Sequence, residues 1–157
     1  MTDNFYITTA ISYVNGAPHL GHAYEAILTD VMARFQRLNG KAVHFLTGTD
    51  EHGEKVAQTA EKNGVTAQDF ADKNASTFKE MAVFLNLSND DFIRTTEPRH
   101  HKAAQALWTT IFDKGEIELG HYAGWYSIRE EAFFTEDELV EKDGIKYTPN
   151  DLSLIHI

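Results

Sequence analysis

The chain has 157 residues, 42% apolar and 24% charged, enough to enclose a hydrophobic core and too apolar for a disordered segment. Its 24 acidic against 14 basic side chains leave a net charge of −10, which argues against nucleic-acid binding by this chain alone, because phosphate contacts need clustered Lys and Arg. There is no cysteine, so disulfides and thiolate metal sites are excluded and a cytoplasmic location is expected; no apolar run approaches the roughly 20 residues of a membrane span, and Met1 to Asn4 lacks the pattern of an export signal.

Phe5 to Ala10 is rich in aromatic and β-branched residues and predicts a buried strand. Asn15-Gly16 and Pro18 break the chain into a tight loop. Leu20, Tyr24, Ile27, Leu28, Val31, Phe35 and Leu38 then recur at helical spacing, giving one apolar face, and Asn39-Gly40 supplies the C-cap. A second strand, Ala42 to Thr47, closes at Gly48. Strand, helix and strand make a right-handed βαβ unit and place the chain in the α/β class with a parallel sheet. A helix from Glu54 to Asn63 stops at Gly64; Thr66 with Asp69 caps the next, which runs toward Leu85. Phe92 to Thr95 is a third strand, and Pro98 opens a helix reaching about Lys114, with Leu107, Trp108, Ile111 and Phe112 expected as core.

From Glu116 the pattern changes to short runs, Ile117 to Leu119, His121 to Ala123 and Trp125 to Ile128, separated by Gly120 and Gly124. These predict small antiparallel strands. Three segments are therefore expected: an α/β region over 1–115, a β-rich insertion beginning over 116–150, and a tail over 151–157. The tail's Leu-Ser-Leu-Ile-His-Ile resembles the translated end of a sequencing adapter and is expected to be non-native.

His19 and His22 straddle the start of the long helix. A helix N-terminus carries unpaired N–H groups and the positive end of a dipole, and Gly21 removes a side chain where phosphate would approach. Imidazoles on either side can donate to charge that builds on an α-phosphate. Asp50, after the second strand, lies at the same sheet edge; by spacing alone, Asp50-Glu51-His52-Gly53 reads as a polar turn capping the next helix, and no metal is expected there.

Thr9 to His22, ending in His19-Leu20-Gly21-His22, resembles the first signature of class I aminoacyl-tRNA synthetases in its methionine-specific form. The resemblance continues through Asp30, Arg34, Phe35 and Arg37, through Gly48 to Gly53, and through Phe92 to Pro98, so that residues 5 to about 150 are covered in order. It implies a Rossmann-like parallel sheet, the first half of a synthetase catalytic domain, followed by part of a β-rich connective insertion. It further implies that methionine, ATP with Mg2+ and methionine-specific tRNA are substrates of a full-length enzyme. His19 and His22 would be catalytic. Ser12, Tyr13, Asn15, Gly16, Pro18, His19, Gly21 and His22 would handle ATP, with Glu25 a further nucleotide-site candidate. Ala10, Ile11, Tyr13 and Asp50 would bind methionine, Asp50 through its α-ammonium group.

Two implications are negative. The family's insertion often carries Cys-x-x-Cys zinc knuckles; here Ser127 and Glu130 stand near those positions, so no structural zinc is expected, and packing of Trp125, Tyr126, Phe133, Phe134 and Tyr147, with an Arg129–carboxylate pair, would hold the insertion. A Lys-Met-Ser-Lys-Ser-like second signature does not occur. This stretch alone is therefore expected to be inactive and not to bind tRNA or membrane. Two competing readings are a small nucleotidyltransferase with its own His-x-Gly-His loop and a non-catalytic truncated paralogue.

Overall fold

The computed structural model describes residues 3–150 and the backbone of 155–156. It resolves into two compact units, Met1–Leu107 and Trp108–Ile157.

In the first unit, β1 (Asn4–Thr8), β2 (Ser12–Tyr13), β3 (Ala42–Asp50) and β4 (Asp91–Arg94) form one parallel sheet. Thr8 and Asp91 both register on Leu46, and Ser12 and Arg94 both register on Thr49. β3 is therefore central, with β1 and then β2 along one side and β4 along the other. Parallel strands need crossover connections. α1 (Leu20–Leu38) returns the chain to β3, and α2 (Glu54–Lys62) with α3 (Ala67–Phe84) returns it to β4. Val14, Val56, Ala71 and Phe78 form the buried centre, with Tyr13, Phe70, Met81 and Phe92 packed against it.

The first strand is shorter than Phe5 to Ala10. Thr9 N–H still reaches Leu46 O at 3.2 Å, but Ala10 N–H turns to the Glu25 carboxylate at 2.8 Å and leaves the ladder. Pairing resumes at Ser12-Tyr13, past the end expected for the first strand. β3 runs past Thr47 through Gly48 to Asp50, so Asp50 ends the strand rather than following it. Gly48 permits this: a Cβ there would lie 2.1 Å from Ile93 O on β4.

α1 carries its apolar stripe as expected, but turns it outward: Leu20, Tyr24, Ile27, Leu28, Val31, Phe35 and Leu38 are 42–87% exposed. The buried side is narrow, with Ala26, Asp30 and Ala33. Small residues allow close approach to the sheet, and a polar clasp holds the helix there. Asp30 accepts from Ser88 N–H and from Arg34 Nε, both at 2.7 Å, while Arg37 donates to Ser88 and Asp90. Burial pushes the Asp30 carboxyl upward, but the bonds from Ser88 and Arg34 outweigh it and hold the group below its ordinary value.

The unit boundary falls within α4 (Pro98–Asp113), which buries no residue. Leu107, Trp108 and Phe112, expected as core, are 57–63% exposed. Helical spacing specifies a face that would be covered, not that a cover is present.

In the second unit, β5 (Trp125–Ser127) pairs antiparallel with β6 (Ala132–Phe134). It pairs also with β9 (Ile155–His156). β7 (Val140–Lys142) and β8 (Ile145–Tyr147) form a hairpin across Asp143-Gly144, both at positive φ, which suits its twist. The strands expected over Ile117 to Leu119 and His121 to Ala123 do not form. Neither run pairs with a strand among the described residues. Arg129 makes no ion pair among the described residues; Lys146 pairs with Glu136 instead, and Trp125 Nε1 donates to the same carboxylate at 2.7 Å. Of the tail, residues 151–154 and 157 lie outside the described residues. No helix among the described residues is long and apolar enough to cross a membrane.

Candidate active site

His19 is the N-cap of α1, and His22 lies in the helix's first turn. Gly21 N–H donates to His19 Nδ1 at 3.1 Å, and His19 N–H donates to His22 Nδ1 at 3.1 Å. This is a reciprocal capping box built from two imidazoles, which satisfies two of the otherwise unpaired donors at the helix start. With each Nδ1 accepting, the neutral rings carry their protons on Nε2, where they remain available to a ligand. The rings stack at 3.8 Å between centroids, and the edge of Phe78 supports His22 at 5.1 Å. Burial lowers the His22 pKa below its ordinary 6.5, and the neighbouring His19 lowers it further against an opposing pull from Glu25. No acidic residue occupies the first turn of α1, although Glu25 in the second turn acts on His22.

Gly21 is required by the same packing. A Cβ there would stand 2.9 Å from His19 Cε1. Ser12, His22 and Glu25 meet around a cavity of about 10 Å³, lined also by Thr9, Thr47 and Gly48. That is about the room of one water molecule. One oxygen of Glu25 is committed to Ala10 N–H, which ties the helix of the histidines to the strand end carrying Ala10 and Ile11. Ala10, Ile11 and Asn15 are exposed, Gly16 and Pro18 half-buried. Tyr13 registers directly across from Asp50, with Val14 N–H on Asp50 O at 3.3 Å. The sheet edge thus brings Ser12, Tyr13 and Asp50 together with the start of α1.

The sequence reading missed the ionic centre behind Asp50. The Glu51 side chain is fully buried and takes both prongs of Arg94, Nε at 2.7 Å and Nη2 at 2.9 Å. Thr49 and Thr96 hydroxyls donate to the same carboxylate, and Glu51 N–H donates to Thr95 Oγ1 at 2.8 Å. Arg94 also reaches Asp72 on α3. Burial raises the Glu51 pKa, but the bonds from Arg94, Thr49 and Thr96 overcome this and keep it ionised; Arg94 is pushed above its ordinary value, chiefly by Glu51. One signal was legible: a lone arginine in the apolar run Phe92-Ile93-Arg94 needs a buried partner.

Among the described residues, no group of three or more His, Asp or Glu could hold a metal. His52 Nε2–H donates to Thr95 O at 3.2 Å. In the second unit, buried Ser127 accepts Glu130 N–H at 3.2 Å, and Asn150 donates to Glu130 Oε1 at 2.5 Å. Glu130 Oε2 is buried without a hydrogen-bond partner among the described residues, but a hydroxyl and a carboxylate are not the thiolates of a zinc knuckle.

The profile of the family described as tRNA synthetases class I (M) matches residues 5–144. The chain is 59% identical over 148 residues to the methionine–tRNA ligase of Brucella suis biovar 1 and 58% over 149 residues to that of Rhizobium meliloti, covering 94% of this chain in each case. It spans only 29% of the length of those relatives. Its fold superposes on the Mycobacterium tuberculosis methionyl-tRNA synthetase in complex with methionyl-adenylate with a TM-score of 0.91 and 48% identity, over 99% of this chain and 31% of that one. With a profile match across nearly all of its length, this chain belongs to the tRNA synthetases of class I (M).

Proposed function

We propose that the protein carrying this chain is a methionine–tRNA ligase. In the first step the methionine carboxylate attacks the α-phosphorus of ATP, which enters as its magnesium complex, and pyrophosphate leaves. In the second, a hydroxyl of the terminal ribose of tRNA attacks the methionyl carbonyl and AMP leaves. Positioning and charge stabilisation carry chemistry of this kind, so no protein nucleophile is needed.

In this reading the Nε2–H groups of His19 and His22 donate to the phosphate oxygens, most strongly as charge builds in the transition state. Gly21 leaves room for the nucleotide, and Ser12, Tyr13, Asn15, Gly16 and Pro18 shape its approach. Asp50 pairs with the methionine α-ammonium, while Ala10, Ile11 and Tyr13 line the thioether side with polarisable and aliphatic surface. Glu25 braces the site through one oxygen on Ala10 N–H and is a further nucleotide-site candidate through the other.

Residues 1–115 are then the first half of the catalytic domain and 116–150 the start of its insertion, built without zinc. The outward apolar stripe of α1 supports a longer parent protein whose further residues cover it. This chain by itself is proposed to be inactive and not to bind tRNA, and the parent protein to be cytoplasmic.

The observation carrying the proposal is the pair of imidazoles whose Nδ1 atoms cap one helix end, on the same sheet edge as Asp50. Methionine-dependent exchange of pyrophosphate into ATP by the full-length protein tests it. Exchange that ignores methionine would overturn it. Metal analysis of the purified protein tests the insertion; stoichiometric zinc would contradict that part.

A further inference from the structure

Asp50 and Glu51 are neighbours in the chain with opposite circumstances. The Asp50 carboxylate, half-buried at the end of β3, makes no hydrogen bond or ion pair among the described residues. The Glu51 carboxylate is fully buried and takes four donors from Arg94, Thr49 and Thr96. The backbone is held as firmly: Val14 N–H donates to Asp50 O, Thr95 N–H to Thr49 O at 3.2 Å, and Glu51 N–H to Thr95 Oγ1. Through Arg94 the same centre reaches Asp72 on α3.

Stability alone is a weak reason to bury such a pair, because well-packed apolar residues of the same volume often serve as well. Geometry is a better one. A bidentate arginine–carboxylate contact is planar and directional, so it sets the orientation of the chain that carries it. The residue immediately before Glu51 is the one whose carboxylate is left unengaged.

We propose that the Glu51–Arg94 pair is a positioning device for the amino-acid substrate, aiming the Asp50 carboxylate at the α-ammonium group. Glu51 and Arg94 touch no reacting atom and act through Asp50. The inference rests on the reading of Asp50 as the ammonium partner.

The test is pyrophosphate exchange by the full-length protein, with active sites titrated and each substrate varied in turn. Glu51→Gln and Arg94→Lys are expected to raise KM for methionine roughly tenfold or more, while KM for ATP and kcat stay within about twofold. Asp72→Asn removes only the outer partner of Arg94, at the surface, and is expected to raise methionine KM by a smaller factor in the same direction. It keeps the proposal testable if the buried variants do not fold. In an Asp50→Asn background, Glu51→Gln should add nothing further. Equal losses for both substrates, a loss in active fraction alone, or multiplicative effects in the double variant would overturn the inference. If Asp50→Asn leaves methionine KM unchanged, the underlying reading of Asp50 fails. If Asp50→Asn raises it while Asp72→Asn and the folded Glu51 or Arg94 variants do not, only the positioning role fails.

Discussion

His19 and His22 cap one helix end for each other, each ring accepting a backbone N–H through Nδ1 while the two rings stack at 3.8 Å. The bonds that begin α1 are thus the bonds that set which nitrogen of each imidazole carries the proton. Folding of the helix start and preparation of the donors are one event.

His19→Asn separates the two functions. An asparagine oxygen can take the place of Nδ1 toward Gly21 N–H, since Asn is a good N-cap, but it offers no donor at the Nε2 position. Stability by urea unfolding should change by less than about 0.5 kcal/mol. Methionine-dependent exchange should fall roughly 100- to 1,000-fold, as for loss of one transition-state donor. A fall of only a few-fold would remove His19 from the chemistry.

The box should also respond to acid. His22 has a pKa below its ordinary 6.5, so the folded state favours the neutral ring and the unfolded chain binds the proton more readily. Its contribution to stability is therefore fully present above pH 6.5 and is lost as pH falls through the lower folded value. Protonated Nδ1 cannot accept the His19 N–H. Nitrogen chemical shifts of the His22 ring should report Nε2–H above that window, with hydrogen exchange of the first turn of α1 accelerating below it. A neutral ring protonated on Nδ1 would contradict the tautomer assignment.

Gly48→Ala should split β3 from β4. The added methyl would stand 2.1 Å from Ile93 O and 2.6 Å from Ile93 Cγ2, and a strand backbone cannot yield that distance without breaking its ladder. We expect a loss of about 3 kcal/mol in denaturant unfolding, at the upper end for overpacking. A loss below about 1 kcal/mol would mean that the strands separate more easily than their pairing implies.

Asp30→Ala should loosen α1 from the segment around Ser88. It leaves the Ser88 N–H and Arg34 Nε without their acceptor, while Arg34 Nη2 keeps Asn86 O, at a cost of about 2 kcal/mol. Asp30→Asn retains one acceptor and should recover part of that loss. Hydrogen exchange at Ser88 should accelerate in the alanine variant; unchanged protection would show that the clasp is not what holds the loop.

The order β1, α1, β3, α2, α3, β4, α4, the α/β class and the histidine loop were legible because each is written locally: β-branched runs, helical spacing and an Asn-Gly turn act within a few residues of themselves. Ala10 shows where local reading stops. Its propensity favours continuing the strand, but a carboxylate fifteen residues later takes its N–H and ends the ladder. Asp50 and Glu51 read as one polar turn, since adjacent acidic residues are equivalent until Arg94, Thr49 and Thr96 converge on one of them.

The sequence by itself determined that α1 has one apolar stripe and that its start is straddled by two imidazoles with a glycine between them. Only the tertiary structure decided which side of that helix meets the sheet. The choice went to Ala26, Asp30 and Ala33, because small side chains and a charge clasp let α1 approach β3 closely, leaving the large apolar residues outward. Amphipathic spacing reports that a face has two sides; which side is buried depends on what arrives to cover it.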